Sequence, residues 1–400
     1  MPDLTNLDSK IAIVGAGIGG LALALALARQ GAKHLHLFER RADAQEFGAG
    51  LQVGPNAVRL LDQLGLSEQL HAISARSPIG RMIEGRSGRK LAELPMDVHA
   101  MQAYGSHSYQ LLRSDLHRLL SDELTAALGH NPVQLDRELV GMSFDGKPRI
   151  EFSDGTEEQA DLIVGADGVE SKMRSLIFDD ARTSYSGYFT WRGLVDADSS
   201  PELGKTVDGL CVWVGEGKHL IAYPLHEGKL INLVGISESA HWQSKSGMEE
   251  RPVSDWLDDY RGWNKQALGL IERSVSCQKW SLRTMPELDC WHRGSVGLLG
   301  DAAHPMLPSL AQGAAQAIED AVCLAGLISQ GGRTADELFA GYFQLRFHRV
   351  HRVQKASHWN LRFFHRPDNM ITRVQNCGMR IAGGVTSKII AGKYRWLYNR

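Results

Sequence analysis

Gly15, Gly17 and Gly20 form a G-x-G-x-x-G pattern between an apolar run, Lys10 to Gly15, and an Ala/Leu-rich run, Gly19 to Gln30. The first run reads as a buried parallel strand and the second as a helix, and Lys33 to Glu39 reads as another strand after a turn at Gly31. Strand, glycine turn, helix and strand make a βαβ unit, and no other feature restricts the fold as strongly. The first glycine permits a tight turn, the second lets a pyrophosphate approach the backbone, and the third lets helix pack on strand. A phosphate then meets the free N–H groups at the positive end of the helix. Glu39 closes the second strand, where a carboxylate can accept hydrogen bonds from ribose hydroxyls. By itself this pattern fits FAD and NAD equally.

The chain has 400 residues, 43% hydrophobic and 22% charged, which suits one large core or two closely joined domains. A formal net charge of -2 offers no global field for nucleic acid or an anionic membrane. The five cysteines include no C-x-x-C, which argues against a disulfide framework, a metal site and a redox dithiol and favours a reducing cytoplasm. Leu21 to Ala28 is far shorter than the roughly 18 apolar residues of a membrane span. The acidic Asp3 and Asp8 ahead of Ile11 do not suit a secretory signal.

From Ser184 to Trp280 the texture changes to aromatic and β-branched segments, Tyr188 to Val195, Leu210 to Val214, His219 to Pro224 and Leu230 to Val234, separated by turn residues. These predict a mixed sheet and a second domain. Ala335 to Phe364 has helical periodicity, with Leu338, Tyr342, Leu345 and Val350 on one face and Arg346, Arg349 and Arg352 on another. Beyond Leu345 the only acid is Asp368. That basic stretch reads as a solvated face, the other readings being steering of an anionic ligand and contact with lipid.

Two further blocks follow buried strands. Asp161 to Gly165 leads into Ala166, Asp167 and Gly168, with Ser171 and Arg174 after them; Ser295 to Gly300 leads into Asp301 to Pro305, then Ala311, Gln312, Gly313 and a helix from Ala314 to Gln330. The three blocks in this order resemble the single-component aromatic hydroxylases of the para-hydroxybenzoate hydroxylase type, nearest the salicylate and 3-hydroxybenzoate hydroxylases. The resemblance spans Ile11 to Ser357. It implies an α/β fold in which a Rossmann-like FAD-binding domain of the glutathione reductase type, residues 1–183 and 281–366, carries an inserted mixed-sheet substrate domain, residues 184–280, followed by a basic helical tail, residues 367–400.

The resemblance further implies FAD as cofactor, with NADH or NADPH, O2 and a small aromatic substrate as partners, in a monomer or homodimer. In such enzymes a flavin C4a-hydroperoxide transfers oxygen to an electron-rich ring carbon. Asp301 then corresponds to a ligand of the ribityl chain, and the backbone of Gln312, Gly313 and Ala314 faces the flavin pyrimidine. Arg113 corresponds to a pyrophosphate ligand and Arg40 to a residue beside the adenosine. Asp167 and Gly168 lie where one motif serves both FAD and the visiting nicotinamide.

A phenol with an ordinary pKa near ~10 needs a base to become a strong nucleophile at neutral pH. His219 matches the histidine used for this by the hydroxybenzoate and hydroxypyridine branches, and Tyr223 shares its strand face by period two. Cys211 is expected to alternate likewise upstream. Structural roles in the sheet remain the alternatives for these residues, and His304 reads as a packing residue. Gln52, Pro308 and Ser309 correspond to positions lining the substrate side of the flavin. The hydroxynicotinate-type relatives carry histidines there, and one 3-hydroxybenzoate branch carries glutamine in place of Pro308. A pyridine, a larger polycyclic or isoprenoid substrate, and a non-catalytic binding protein on the same fold are the competing readings.

Overall fold

The computed structural model describes residues 5–42, 49–179, 181–242, 244, 247–383 and 392–399. The glycine motif joins Ile11–Val14 to the helix Ile18–Arg29, which leads to Leu35–Phe38. Ile11–Val14 pairs in parallel with both Leu35–Phe38 and Leu162–Gly165, and the latter pairs in parallel with Val296–Leu298. All four strands therefore end at the same edge of a six-stranded sheet. Leu21 through Leu27 are buried on every side of the first helix. A helix apolar all round must lie between layers, and this one packs against Arg113–Leu128 and Gly313–Gln330.

An eight-stranded sheet forms the second layer system. Ser184–Asp196, Leu230–Glu238, Lys218–Leu225 and Leu210–Gly215 run antiparallel in that spatial order. Ile79–Glu84 then joins Leu210–Gly215 in parallel and brings Lys90–Pro95 with it. Residues 79–95, which the sequence reading assigns to the FAD-binding part, thus belong by hydrogen bonding to this sheet. A parallel pairing across more than a hundred residues leaves no local trace in either segment.

One face of the eight-stranded sheet packs Trp213, Leu220, Ala222 and Trp191 against Trp256, Tyr260 and Ile271 of two short helices. The other carries Ile221, Tyr223 and Leu225. It meets the two-stranded antiparallel sheet of Gly50–Val53 and Tyr109–Leu112, since Asn232 Oδ1 accepts from Gly50 N–H at 2.8 Å.

The long helix Ala335–Phe364 begins with a capping box at Thr334 and Glu337. It corrects the expectation of a solvated arginine face. Arg346 is 1% exposed and donates to Asp320, Glu319 and Gln316, and Arg349 binds Glu319 with both arms. Arg349 also donates to Leu397 O, which ties down the short C-terminal helix Arg395–Tyr398. Of the expected basic tail, residues 384–391 and 400 lie outside the described residues.

Candidate active site

The three motif turns touch one another. Gly15 has φ +105°, and a Cβ there would stand 2.4 Å from Ala166 O, so turn and neighbour permit only glycine. Ala166 N–H donates to Val14 O at 2.7 Å and Leu299 N–H to Gly165 O at 2.9 Å, which places the three strand ends side by side. Asp167 anchors its own turn by accepting from Ser171 Oγ at 2.6 Å and Met173 N–H at 3.0 Å. Arg174, 2% exposed, staples that turn to the next by donating to Val169 O and Ala302 O. Arg174 was legible only as a residue after the motif; its role needs the third strand in place.

The groove above these turns suits a dinucleotide. A Cβ on Gly17 would meet nothing within 4 Å, and the helix behind it starts with neither a side-chain cap nor an acid in its first turn. Its orphan N–H groups are left for an anion. Beside them lies a cleft lined by Ala16, Gly17, Glu39, Arg41, His117, Ser121, Asn131 and Leu135. Glu39 accepts from Ala16 N–H and Arg41 N–H, each at 3.1 Å, and His117 Nε2 meets Ala16 O at 2.7 Å. Arg41 lines this cleft, and its neighbour Arg40 is, like Arg41, exposed. The residues present therefore fit FAD: Glu39 would suit the ribose, the Gly17 amides the pyrophosphate, and the second and third turns the rest.

Asp301, on the third turn, is exposed as a residue, while its carboxyl is crowded by surrounding protein. Burial pushes this carboxyl up, and the charges of His304 and Arg113 oppose the shift. Arg113 begins its helix with N–H donated to Ala49 O at 2.9 Å. Gln312, Gly313 and Ala314 form the uncapped start of the helix Gly313–Gln330, reached through Ala311 at φ +51°. Below that start, Gln312 accepts from Asn56 Nδ2, which also donates to Glu319. His304 is 3% exposed and holds Asp320 at 2.6 Å, in line with a packing role.

His219 and Tyr223 lie on the sheet face turned toward the two-stranded sheet of Gly50–Val53 and Tyr109–Leu112, and Gly50 sits against the Tyr223 hydroxyl. Burial drives Tyr223 up, with Arg192 opposing, so it stays a neutral phenol. Gln52 shares the outward side of its strand with Gly50, while Leu51 and Val53 pack into the core. Leu307 packs with Ile236, the cross-strand partner of His219, so the turn at Pro308 and Ser309 borders the same space. The Ser309 hydroxyl is engaged by Ser357 O at 2.6 Å.

Cys211 is not among these residues. It pairs with Ala222 and faces the tryptophan core on the far side of the sheet, where burial lifts its thiol to about 11. The antiparallel register sets Val214 opposite His219, and Cys211, three residues earlier, falls on the other face.

His219 is fully buried; its Nδ1 meets His365 Nε2 at 2.7 Å, and its Nε2 has no hydrogen-bond partner among the described residues. Burial first, then His365, lowers its pKa well below the usual histidine range, so the ring is neutral. Arg192, which sequence reasoning missed, lies on Ser184–Asp196, separated from the His219 strand by Leu230–Glu238, with its Nε buried and without a hydrogen-bond partner among the described residues. Burial and then the Arg113 charge push it down to about 10. The guanidinium carbon lies 5.4 Å from the centre of the Trp280 ring, and its unmet buried Nε–H suits an anionic ligand group.

The fold and the three converging turns define a flavin-dependent hydroxylase scaffold. The chain matches, over residues 8–357, the family model described as FAD binding domain, and it belongs to that family as an FAD-dependent aromatic monooxygenase. It is 31% identical to 3-amino-4-hydroxybenzoate 2-monooxygenase of Streptomyces platensis, covering 100% of this chain and 98% of the relative. It is 33% identical to 3-hydroxybenzoate 6-hydroxylase 1 of Aquipseudomonas alcaligenes, covering 98% of each. Among solved structures, Klebsiella pneumoniae HpxO complexed with FAD and uric acid superposes with a TM-score of 0.83 at 26% identity, covering 96% of this chain and 95% of that one. No helix among the described residues is long and apolar enough to cross a membrane.

Proposed function

We propose that this enzyme uses NADH or NADPH and O2 to hydroxylate a small phenolic aromatic acid, and that His219 removes the proton of the ring hydroxyl. The carrying observation is His219 Nε2, a fully buried ring nitrogen without a hydrogen-bond partner among the described residues, on the sheet face beside the flavin-side loops. An unmet polar atom of this kind costs about 1–3 kcal/mol, which an incoming ring hydroxyl would recover. When bound, the flavin supplies O2 activation and oxygen transfer, with the nicotinamide as its reductant. The chain's residues do the rest. Arg192, beside Arg113, offers charge to the carboxylate, Tyr223 and Gln52 bound the ring, and the start of the helix at Gly313 favours negative charge on the flavin pyrimidine. The two relatives, named for hydroxylation of hydroxybenzoates, support this substrate class. HpxO, solved with uric acid, keeps an N-heteroaromatic as the second reading.

The test is His219→Gln assayed by product formation and by anaerobic flavin reduction. Product formation is expected to fall by roughly 100-fold or more, the range of general base catalysis, with flavin reduction preserved. Undiminished product would remove His219 from the mechanism.

A further inference from the structure

We propose that His219, His365 and Glu238 form a relay that carries the proton of the substrate's ring hydroxyl from the buried sheet face to solvent. This rests on the reading of His219 as the base and extends it to two residues outside the ligand space.

The hydrogen-bond chain fixes its own polarity. Glu238, with its side chain 49% exposed, stands 3.1 Å from Nδ1 of His365, whose side chain is 1% exposed. An ionised carboxylate only accepts, so Nδ1 of His365 carries the proton. A neutral imidazole has one N–H, which leaves His365 Nε2 as an acceptor. His219 must then donate from Nδ1 across the 2.7 Å contact, and its own neutral ring is left with a bare lone pair on Nε2. Nε2 is the one ring nitrogen of the pair with no partner among the described residues. Through two rings, the surface carboxylate thus sets the buried atom as a proton acceptor. Neutrality of both rings agrees with their surroundings: burial and then Lys218 hold His365 down at about 3.

The other charged or titratable groups around the pair are already engaged. Lys218 is held by Asp259 at 2.7 Å, and the Tyr260 hydroxyl donates to His219 O at 2.7 Å. Tyr188 packs its ring 5.8 Å from His365, near Arg362. Phe364 packs edge-on with its ring centre 5.0 Å from that of His219.

Transfer balances without any electron change. The ring oxygen gives its proton to His219 Nε2, Nδ1 passes its proton to His365 Nε2, and His365 Nδ1 passes its own to Glu238, which releases it to water. Each imidazole ends neutral with its proton on the other nitrogen. Uptake of a proton by the departing product in the reverse direction restores the starting tautomers.

Nitrogen NMR of histidine-labelled, FAD-loaded protein at neutral pH reads the resting state directly. The expected result is a protonated Nδ1 and a bare Nε2 on His219, becoming a mixture in Glu238→Leu. A protonated Nε2 on His219 in the wild type overturns the proposal. The kinetic arm uses whichever of salicylate, 3-hydroxybenzoate, 3-amino-4-hydroxybenzoate or 6-hydroxynicotinate most stimulates NADH oxidation. In single turnovers His365→Gln, whose amide can accept from His219 but cannot pass a proton on, should slow product formation by roughly 100-fold, while anaerobic flavin reduction keeps its rate. Glu238→Leu, at the exposed end, should act in the same direction and carries the kinetic arm should His365→Gln fail to fold. If His219→Gln abolishes product while both other variants match wild type, the relay falls and the base stands. If His219→Gln is itself silent, the base reading falls and takes the relay with it.

Discussion

At the residue scale, the proposed reaction rests on two buried atoms without hydrogen-bond partners among the described residues: an acceptor, His219 Nε2, and a donor, Arg192 Nε. His219 was legible because it matched a family motif. Arg192 was not, since an arginine on a half-buried strand reads as a surface cation until its neighbours are known. A charge-assisted hydrogen bond is worth about 1.5–3 kcal/mol. Arg192→Met should therefore raise KM for an aromatic acid by roughly ten- to hundredfold, and much less for the same phenol lacking its carboxylate. Equal effects on both would assign Arg192 to the flavin instead. Cys211→Ala, on the opposite face, should leave both KM values unchanged. The misplacement of Cys211 has a simple cause: strand periodicity relates residues within one strand, whereas faces of neighbouring strands are related only by register.

At the element scale, the start of the Gly313–Gln330 helix rests on a buried network of Asn56, Gln312, Gln316, Glu319, Asp320, His304, Arg346 and Arg349. Helical spacing showed that the arginines share a face but could not show that two acids of another helix wait beneath it. Burial alone would raise Glu319 and Asp320; the arginine hydrogen bonds and charges, with His304 at Asp320, hold each at about 2 instead. Depressed carboxyl values stabilise the folded state above their ordinary range and lose that contribution as pH falls toward the folded value. Thermal melting should thus begin to decline as pH falls below about 6.5, where His219 and His365 take up protons in the unfolded chain but stay neutral in the fold, and decline more steeply from about 4.5 toward about 2 as Glu319 and Asp320 add their loss. Removing one side of such a network leaves an uncompensated buried charge, so Arg346→Met should cost about 3–5 kcal/mol in denaturant titrations and weaken FAD retention. A melting curve indifferent to both pH and this variant would contradict the network's role.

At the scale of the whole molecule, function depends on parallel strands ending at one edge, so that motifs separated by more than a hundred residues meet above it. This much was readable, because each turn carries its own signature next to an apolar strand. The pairing of Ile79–Glu84 with Leu210–Gly215 and the return of Arg395–Tyr398 to Arg349 were not readable, because both are long-range contacts with no local pattern. The arrangement predicts a yellow protein that binds FAD, and a Gly17→Val variant that folds but loses the cofactor, since the added carbon atoms would occupy the open space over the helix N-terminus. The most direct test of the account is a single turnover with 3-hydroxybenzoate or 3-amino-4-hydroxybenzoate, NADH and isotopically heavy O2, analysed by mass spectrometry. The account predicts product carrying one heavy oxygen atom per NADH consumed; NADH oxidation that yields only hydrogen peroxide with every compound of the class, or product whose new oxygen comes from water, would contradict it.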